Sequence, residues 1–337
     1  MMTFALTSLS QLASPAAQMP QADAAAIEGA IARQNSLTKP PGSLGKLEEL
    51  AVFMAGWRGT ARPAIASAQA VIFSGNHGIC AQGVNPYPQE VTAQMVGNFT
   101  AGGAAINQLC RANNAKLSVI ALDLDNPTAD FTTGPAMSDS SCLDAINRGA
   151  AAVDPQADVL ILGEMGIGNS TIAAALTSAL FGGEVNDWVG PGTGSDAAGI
   201  ARKVVAIKIG LARHTGLSAP QVLAALGGRE QAAICGAVLA ARSARIPVIL
   251  DGFICTAAAA VLYAIDPRLL DHCLVGHASA EPGHRRLLTA IGKRPILEFD
   301  MRLGEGSGAA LALGILRAAL EVHNGMATFG EAGVSEA

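Results

Sequence analysis

Aromatic side chains are scarce in this chain, with two tryptophans, two tyrosines and nine phenylalanines among 337 residues. Stacking platforms for single-stranded nucleic acid therefore have little to be built from. Charge is scarce too, at 15 % of positions, and the net value of −5 comes with no cluster of Lys or Arg. A nucleic-acid surface needs a concentrated positive patch, so small molecules are the expected partners. The six cysteines, Cys80, Cys110, Cys142, Cys235, Cys255 and Cys273, make no CxxC pair and no close group with histidine, which leaves reduced, buried thiols as the expectation. The longest apolar stretches, 256–265 and 309–316, fall well short of the roughly 18 residues a membrane span requires. Met1-Met2-Thr3-Phe4 opens without a basic segment or a sustained apolar stretch, so no secretory signal is read and a soluble, cytoplasmic protein is expected. There is no GxGxxG after a strand, no P-loop, no GxSxG and no HExxH, which disfavours dehydrogenases, P-loop kinases, serine hydrolases and zinc peptidases.

Half of the residues are apolar and 38 are glycine, a composition suited to helices packed closely on a buried parallel sheet. The first sixty residues read as helical, Ala24 to Arg33 and Leu44 to Trp57, separated by Lys39-Pro40-Pro41-Gly42-Ser43, which breaks the chain and caps the second helix. Strands are then expected at Val71 to Phe73, Leu117 to Leu122, Val159 to Leu162, Pro247 to Leu250, His272 to Val275 and Pro295 to Phe299. A helix is expected over Val91 to Leu109, others end at Val153 and span Ile172 to Leu180, and further helices follow the fourth and sixth strands. The fold class is α/β, a doubly wound, mainly parallel six-stranded sheet. Ligands of such sheets sit outside the carboxyl ends of the strands, where Asn76-His77-Gly78, Glu164, Asp251-Gly252, Gly276-His277 and Glu305 all fall. Thr328 to Glu336 reads as a mobile tail.

Two segments repeat one design. Ile296 to Phe299 leads through Asp300 into Leu303-Gly304-Glu305-Gly306-Ser307-Gly308 and a long Ala/Leu helix. Val159 to Leu162 leads into Gly163-Glu164-Met165-Gly166-Ile167-Gly168-Asn169-Ser170-Thr171 and another helix. Each presents a carboxylate on a glycine turn where a ligand can approach closely, and together they imply one shared cleft. Gly166, Gly168, Asn169, Ser170 and Thr171 at a helix start suit an anion such as phosphate. Helix capping by Asn169 or Ser170 is the plainer alternative, but capping needs one such residue, not three. The loop Gly190-Pro191-Gly192-Thr193-Gly194-Ser195-Asp196 is open to both readings, anion contact or simple turn. Lys203, on the helix that follows, can add a countercharge or stand solvated. Tyr87, in the rigid loop 83–88, and Met95 beyond it could flank a planar aromatic ligand, though a packed loop suits the residue types better. His277 and His284 could be metal ligands, with hydrogen-bonding loop histidines the commoner case.

Taken in order, Lys39-Pro40-Pro41-Gly42-Ser43-Leu44-Gly45, His77-Gly78, Gly163-Glu164-Met165-Gly166, Leu250-Asp251-Gly252-Phe253, Ser279-Ala280-Glu281 and Arg302-Leu303-Gly304-Glu305-Gly306-Ser307-Gly308-Ala309 resemble the nicotinate-nucleotide–dimethylbenzimidazole phosphoribosyltransferase family, over about residues 36 to 325. That resemblance implies transfer of the ribose phosphate of nicotinate mononucleotide to 5,6-dimethylbenzimidazole, giving α-ribazole 5′-phosphate for the lower ligand of cobalamin. It implies Glu305 as general base with inversion at C1′, leaving Glu164 to orient the ribose or stabilise charge there. It puts the phosphate at Gly166 to Thr171 and Gly192-Thr193-Gly194, with Ser279 and Lys203 assisting, and makes Tyr87, Met95, Leu303, Asn76 and His77 the acceptor pocket. No cofactor and no metal are expected. Family members carry Asp where this chain has Asn76, and a small residue where it has Tyr87, so the acceptor base is open: benzimidazole, adenine and phenols are alternatives. The resemblance further implies a homodimer whose subunits have a large domain over 65–315 and a small helical domain from 1–64 and 316–337. A nucleosidase and a non-catalytic nucleotide sensor are the rival readings.

Overall fold

The computed structural model describes residues 4–13 and 18–335. Two helices come first, α1 (Ala24–Ser36) and α2 (Lys46–Arg58), followed by β1 (Ala68–Ser74), α3 (Val91–Ala101), α4 (Ala105–Ala112) and β2 (Ala115–Ala121). Next come α5 (Asp139–Ala151), β3 (Val159–Met165), α6 (Asn169–Phe181), α7 (Ala197–Arg213), α8 (Ala219–Leu226) and α9 (Arg229–Ser243). The chain ends with β4 (Val248–Leu250), α10 (Phe253–Ile265), β5 (Cys273–His277), α11 (Pro282–Ala290), β6 (Pro295–Leu297), α12 (Ser307–Gly325) and α13 (Phe329–Ala332). The six strands form one sheet in the order β2-β1-β3-β4-β5-β6, and every pairing is parallel.

Side chains alternate across this sheet with period two. Ala70, Ile72, Ile161 and Ile249 enter a core with α2, α4 and α12, whereas Val71, Phe73, Leu160, Leu162, Val248 and Leu250 enter a larger one with α5, α6, α9 and α10. Both faces are covered, which is why the central strands read as unbroken apolar runs. The abundance of small residues has a direct use at the α5/α9 contact. A Cβ added at Gly149 would lie 1.9 Å from the Ala233 carbonyl oxygen, and one at Gly236 1.8 Å from that of Ile146. The two helix backbones touch there, so neither position can carry a side chain.

Four expectations are corrected. The single helix over Val91 to Leu109 is two, because Gly102 takes φ 82° and its amide closes on Asn98 and Phe99 carbonyls. A helix, α11, also follows the fifth strand, started by Pro282 at its first position. Ser43 does not cap α2. Gly45 occupies that position without a side-chain cap, and Glu48 instead accepts from the Leu44 amide and pairs with Lys39 at 2.8 Å. The tail is tied down as far as α13: the Arg33 guanidinium donates to the carbonyls of His323, Asn324 and Met326, Leu37 bridges Thr328, and Thr328 and Glu331 form a capping box. Glu336 lies outside the described residues.

The chain leaves β1 for β2 on one side and returns to β3 on the other, so the winding reverses between β1 and β3. Crevices form at the carboxyl ends of strands on either side of such a reversal. Among the described residues no helix is long and apolar enough to cross a membrane.

Candidate active site

A cleft lies at the carboxyl ends of the strands; it is lined by Glu164, Gly166 to Ser170, Gly192, Thr193, Lys203, Asp251, His277, Ser279, Glu281, Arg302 and Leu303 to Glu305, among others. Both acidic glycine turns therefore open into one space. Their closeness is set by glycines. A Cβ on Gly163 would meet the Gly306 amide nitrogen at 2.7 Å, and one on Gly304 would meet Glu164 Oε1 at 2.6 Å.

Glu305 is 7 % exposed and has φ 64°, between Gly304 at 84° and Gly306 at 79°. Three successive left-handed residues turn the chain sharply, so the glutamate stands at the head of α12. Ser307 closes the turn by donating through its amide and its Oγ to the Gly304 carbonyl, at 3.1 and 2.7 Å. The helix terminus favours an ionised carboxyl and burial the neutral acid. Burial, aided by the charge of Asp251, raises the Glu305 pKa to about 7. Glu164, 4 % exposed at the end of β3, is raised to about 8 by burial first, then by Asp251, Glu230 and Glu305, against a hydrogen bond from Asn169.

That bond answers the capping question for Asn169, whose amide donates to Glu164 Oε2. The N-cap of α6 is Gly168, at φ 93°, and no side chain caps it. The start of α6 opens on the cleft, although the amides of Ile167, Asn169 and Thr171 already donate to Thr92 Oγ1 and to the carbonyls of Gly166 and Gly168. Lys203 is buried and donates to Ser170 Oγ and to the Gly190 carbonyl, both at 3.1 Å, which puts its ammonium beside that helix start. Burial lowers its pKa, and Glu281 opposes the shift.

The 190–196 loop is held differently from the anion loop the sequence allowed. Its Gly192 amide donates to Glu281 Oε1 at 2.8 Å, and the amides of Gly194 and Ser195 donate to the Pro191 carbonyl. Three of its donors are thereby committed to protein oxygens. A Cβ at Gly190 would lie 2.2 Å from Glu281 Oε2, so glycine there lets the carboxylate in. Arg302 reaches the Gly192 carbonyl at 3.3 Å. Ser279 lines the cleft and its Oγ accepts from the Glu281 amide. Gly194 and Thr171 are not among the lining residues; Thr171 is fully buried inside α6.

Of the five residues expected around an aromatic acceptor, Leu303 alone lines the cleft. Tyr87 is 50 % exposed, Met95 packs against the α2/α12 core, and Asn76 is buried and donates to the Leu124 carbonyl. His77 is fully buried with Nε2 2.7 Å from Glu230 Oε1, directly behind Gly166, where a Cβ would meet its ring at 2.9 Å. His284 is not placed as a ligand. Its Nδ1 accepts from the Ser279 amide, so its Nε2 carries the proton toward Thr256 Oγ1; burial lowers its pKa to about 3.

Sequence reasoning gave no role to Asp251, Glu281 or Arg302, although each stood in a noted motif or at a strand end, weighed His277 only as a metal ligand or a hydrogen-bonding loop residue, and missed Glu230 altogether. Their positions were legible as ends of strands. Their partners were not, because Asp251 bonds to amides more than fifty residues away.

A family model described as Phosphoribosyltransferase matches residues 19–334. The nicotinate-nucleotide–dimethylbenzimidazole phosphoribosyltransferase of Rhodobacter capsulatus is 66 % identical over 330 residues, 98 % of this chain and 99 % of the relative. The enzyme of the same name from Novosphingobium aromaticivorans is 59 % identical, with 95 % of each chain covered. The crystal structure of the Thermus thermophilus enzyme of that name superposes with a TM-score of 0.87 at 41 % identity, covering 94 % of this chain and 100 % of the other. With the sheet, the two glycine-borne glutamates and these likenesses in agreement, the chain belongs to the nicotinate-nucleotide–dimethylbenzimidazole phosphoribosyltransferase family.

Proposed function

We propose that this protein transfers the ribose 5-phosphate of nicotinate mononucleotide to 5,6-dimethylbenzimidazole, with Glu305 as the general base. The observation that carries the reading is Glu305 itself: a buried carboxyl raised to about 7, on a left-handed turn between two glycines, facing the same cleft as Glu164. A base with a pKa near the working pH is the effective one. It takes the acceptor ring N–H proton as the other ring nitrogen attacks C1′ from the face opposite nicotinate, with inversion. Nicotinate leaves as a neutral pyridine ring, so its departure needs no proton.

Glu164 is largely protonated in the free protein at neutral pH. A pyridinium ribosyl donor in the cleft favours its ionised form, since an opposite charge at close range lowers a carboxyl pKa. Its negative charge is then present where positive charge develops at C1′. The phosphate is assigned to the start of α6 at Gly166, Gly168, Asn169 and Ser170, with Lys203 as countercharge; Thr171, buried within the helix, stands behind that turn. Gly192, Thr193 and Ser279 form the facing wall, with Gly194 outside it. Leu303 flanks the acceptor beside Glu305, while Tyr87, Met95, Asn76 and His77 stand outside the cleft wall. Adenine, benzimidazole and phenols remain the alternative acceptors.

In the same reading the subunit works as a cytoplasmic homodimer with a large domain over 65–315; Leu9 and Leu12 are buried in that domain's core and Leu6 bonds Asn147, so the small helical lobe is left to α1, α2, the end of α12 and α13. Support for the lobe is the joining of α1 to the end of α12 through Gln34 and His323 and through Arg33. Light scattering that returned a monomer would remove the dimer.

The test is to incubate wild type and Glu305→Gln with nicotinate mononucleotide and an equimolar panel of 5,6-dimethylbenzimidazole, benzimidazole, adenine and p-cresol, identifying products by mass. α-Ribazole phosphate from wild type and a loss of roughly 10²-fold or more in the variant is expected. Free ribose 5-phosphate in the presence of acceptor would mean a nucleosidase, and no product with any acceptor would leave the nucleotide sensor.

A further inference from the structure

We propose that Asp251 is a positioning residue for this reaction: it pins the turn that carries Glu305 and supplies a fixed negative charge beside that carboxyl. The inference rests on Glu305 being the base. A non-glycine residue in the left-handed region costs roughly 1 kcal/mol or more, and the Ser307 bonds that close the turn are local, so they do not fix how it sits on the sheet. Asp251 does. At the end of β4 it is 1 % exposed, its Oδ2 accepts from the Gly306 amide at 3.2 Å and its Oδ1 from the Ala309 amide at 2.8 Å. One carboxylate thus holds the residue that follows Glu305 and the first turn of α12.

Its place in the sheet gives it reach. β4 lies between β3, which ends in Glu164, and β5, which ends in His277. The titratable groups beside Glu305 are Asp251, which acts on it, and Glu164, on which it acts; those around Asp251 are Glu164, Cys255 and His277, whose Nε2 is 3.7 Å from Oδ1. That separation is too long for a hydrogen bond, and both ring nitrogens of His277 lack a protein partner. Lys203 and Arg302 stand across the cleft at the 190–192 loop. Burial raises the pKa of Asp251, whereas His277 and the amides of Gly306, Gly308 and Ala309 favour its anion, as does the helix terminus it faces. With the anion in place, its charge is the second cause, after burial, of the raised pKa of Glu305.

The experiment compares kcat/KM for nicotinate mononucleotide in wild type and Asp251→Asn from about pH 5 to about pH 9, with 5,6-dimethylbenzimidazole saturating. Removing the charge at nearly constant shape should move the acidic limb down by about one pH unit, while the plateau falls roughly tenfold or more as the turn loosens. A lower plateau alone is what a purely structural residue gives, so a limb that stays in place or moves up overturns the proposal. Wild type that yields no nucleotide product at any pH overturns the functional reading and this inference with it. If the variant does not fold, carbon NMR of wild type labelled at the aspartate carboxyls decides. One aspartate carboxyl should stay ionised while Glu305 titrates and sense that midpoint near 7, which vanishes in Glu305→Gln; absence of such a signal overturns the proposal.

Discussion

At the scale of single residues, the two glutamates differ by environment, not by type. Glu164 sits deeper, among more negative neighbours, and accepts from Asn169; Glu305 stands on its turn with Asp251 as its one named charged influence. Two carboxyls with separate environments can serve separate roles. Replacing Glu164 by Gln keeps the Asn169 contact possible and removes only the charge, so kcat should fall by roughly 10²-fold, with KM for nicotinate mononucleotide moving less than about threefold. Steady-state kinetics check this, and a change confined to KM would eliminate charge stabilisation as the role of Glu164.

Among the elements, α12 matters most, because its N-terminus carries Glu305 and has to approach the sheet more closely than side chains allow. A Cβ at Gly308 would fall 1.9 Å from His277 Cδ2, and one at Gly276 would fall 2.7 Å from the Ala309 Cα. Gly308→Ala therefore pushes α12 off β5, although alanine is the better helix former by about 1 kcal/mol. The expected net outcome is a loss of a few kcal/mol of stability, on the order of overpacking penalties, read by urea denaturation. A variant as stable as wild type would show that the helix head is free to shift.

For the whole molecule, buried titratable groups set a pH optimum of stability. Glu164 and Glu305 have folded pKa values near 8 and 7, above the ordinary 4.5. Between those limits the native state holds more protons than the unfolded chain, so their contribution, complete below pH 4.5, is lost as pH rises to about 8. His272 and His284 are lowered to about 3 by burial. Their contribution is complete above about 6.5 and is lost as pH falls toward 3. The two effects oppose each other from 4.5 to 6.5, and above 6.5 only the carboxyls act. The ligand-free protein should lose melting temperature from about pH 6.5 to 8, and Glu164→Gln should flatten that fall. Calorimetry across this range checks it; a melting temperature that climbs through the window would contradict the raised carboxyls.

Much of this was determined by the sequence alone. Six apolar runs separated by helical segments specify a parallel sheet, since period and length are local properties. The two glycine-flanked glutamates are legible for the same reason: a turn that needs left-handed residues declares itself in its glycines. The helix break at Gly102-Gly103 and α11 after β5 were missed because one glycine pair or one proline carries a weak local signal. Tertiary structure decided the rest. Asn169 could have been a cap and became the partner of Glu164; the 190–196 loop could have offered its amides and instead committed three of them to protein oxygens. Asp251, legible only as an acid at the end of an apolar strand, bonds the amides of Gly306 and Ala309 at the turn of the proposed base. Those outcomes depend on which strand ends become neighbours, and on how far burial outweighs a helix terminus, and both are set by contacts between segments far apart in the chain.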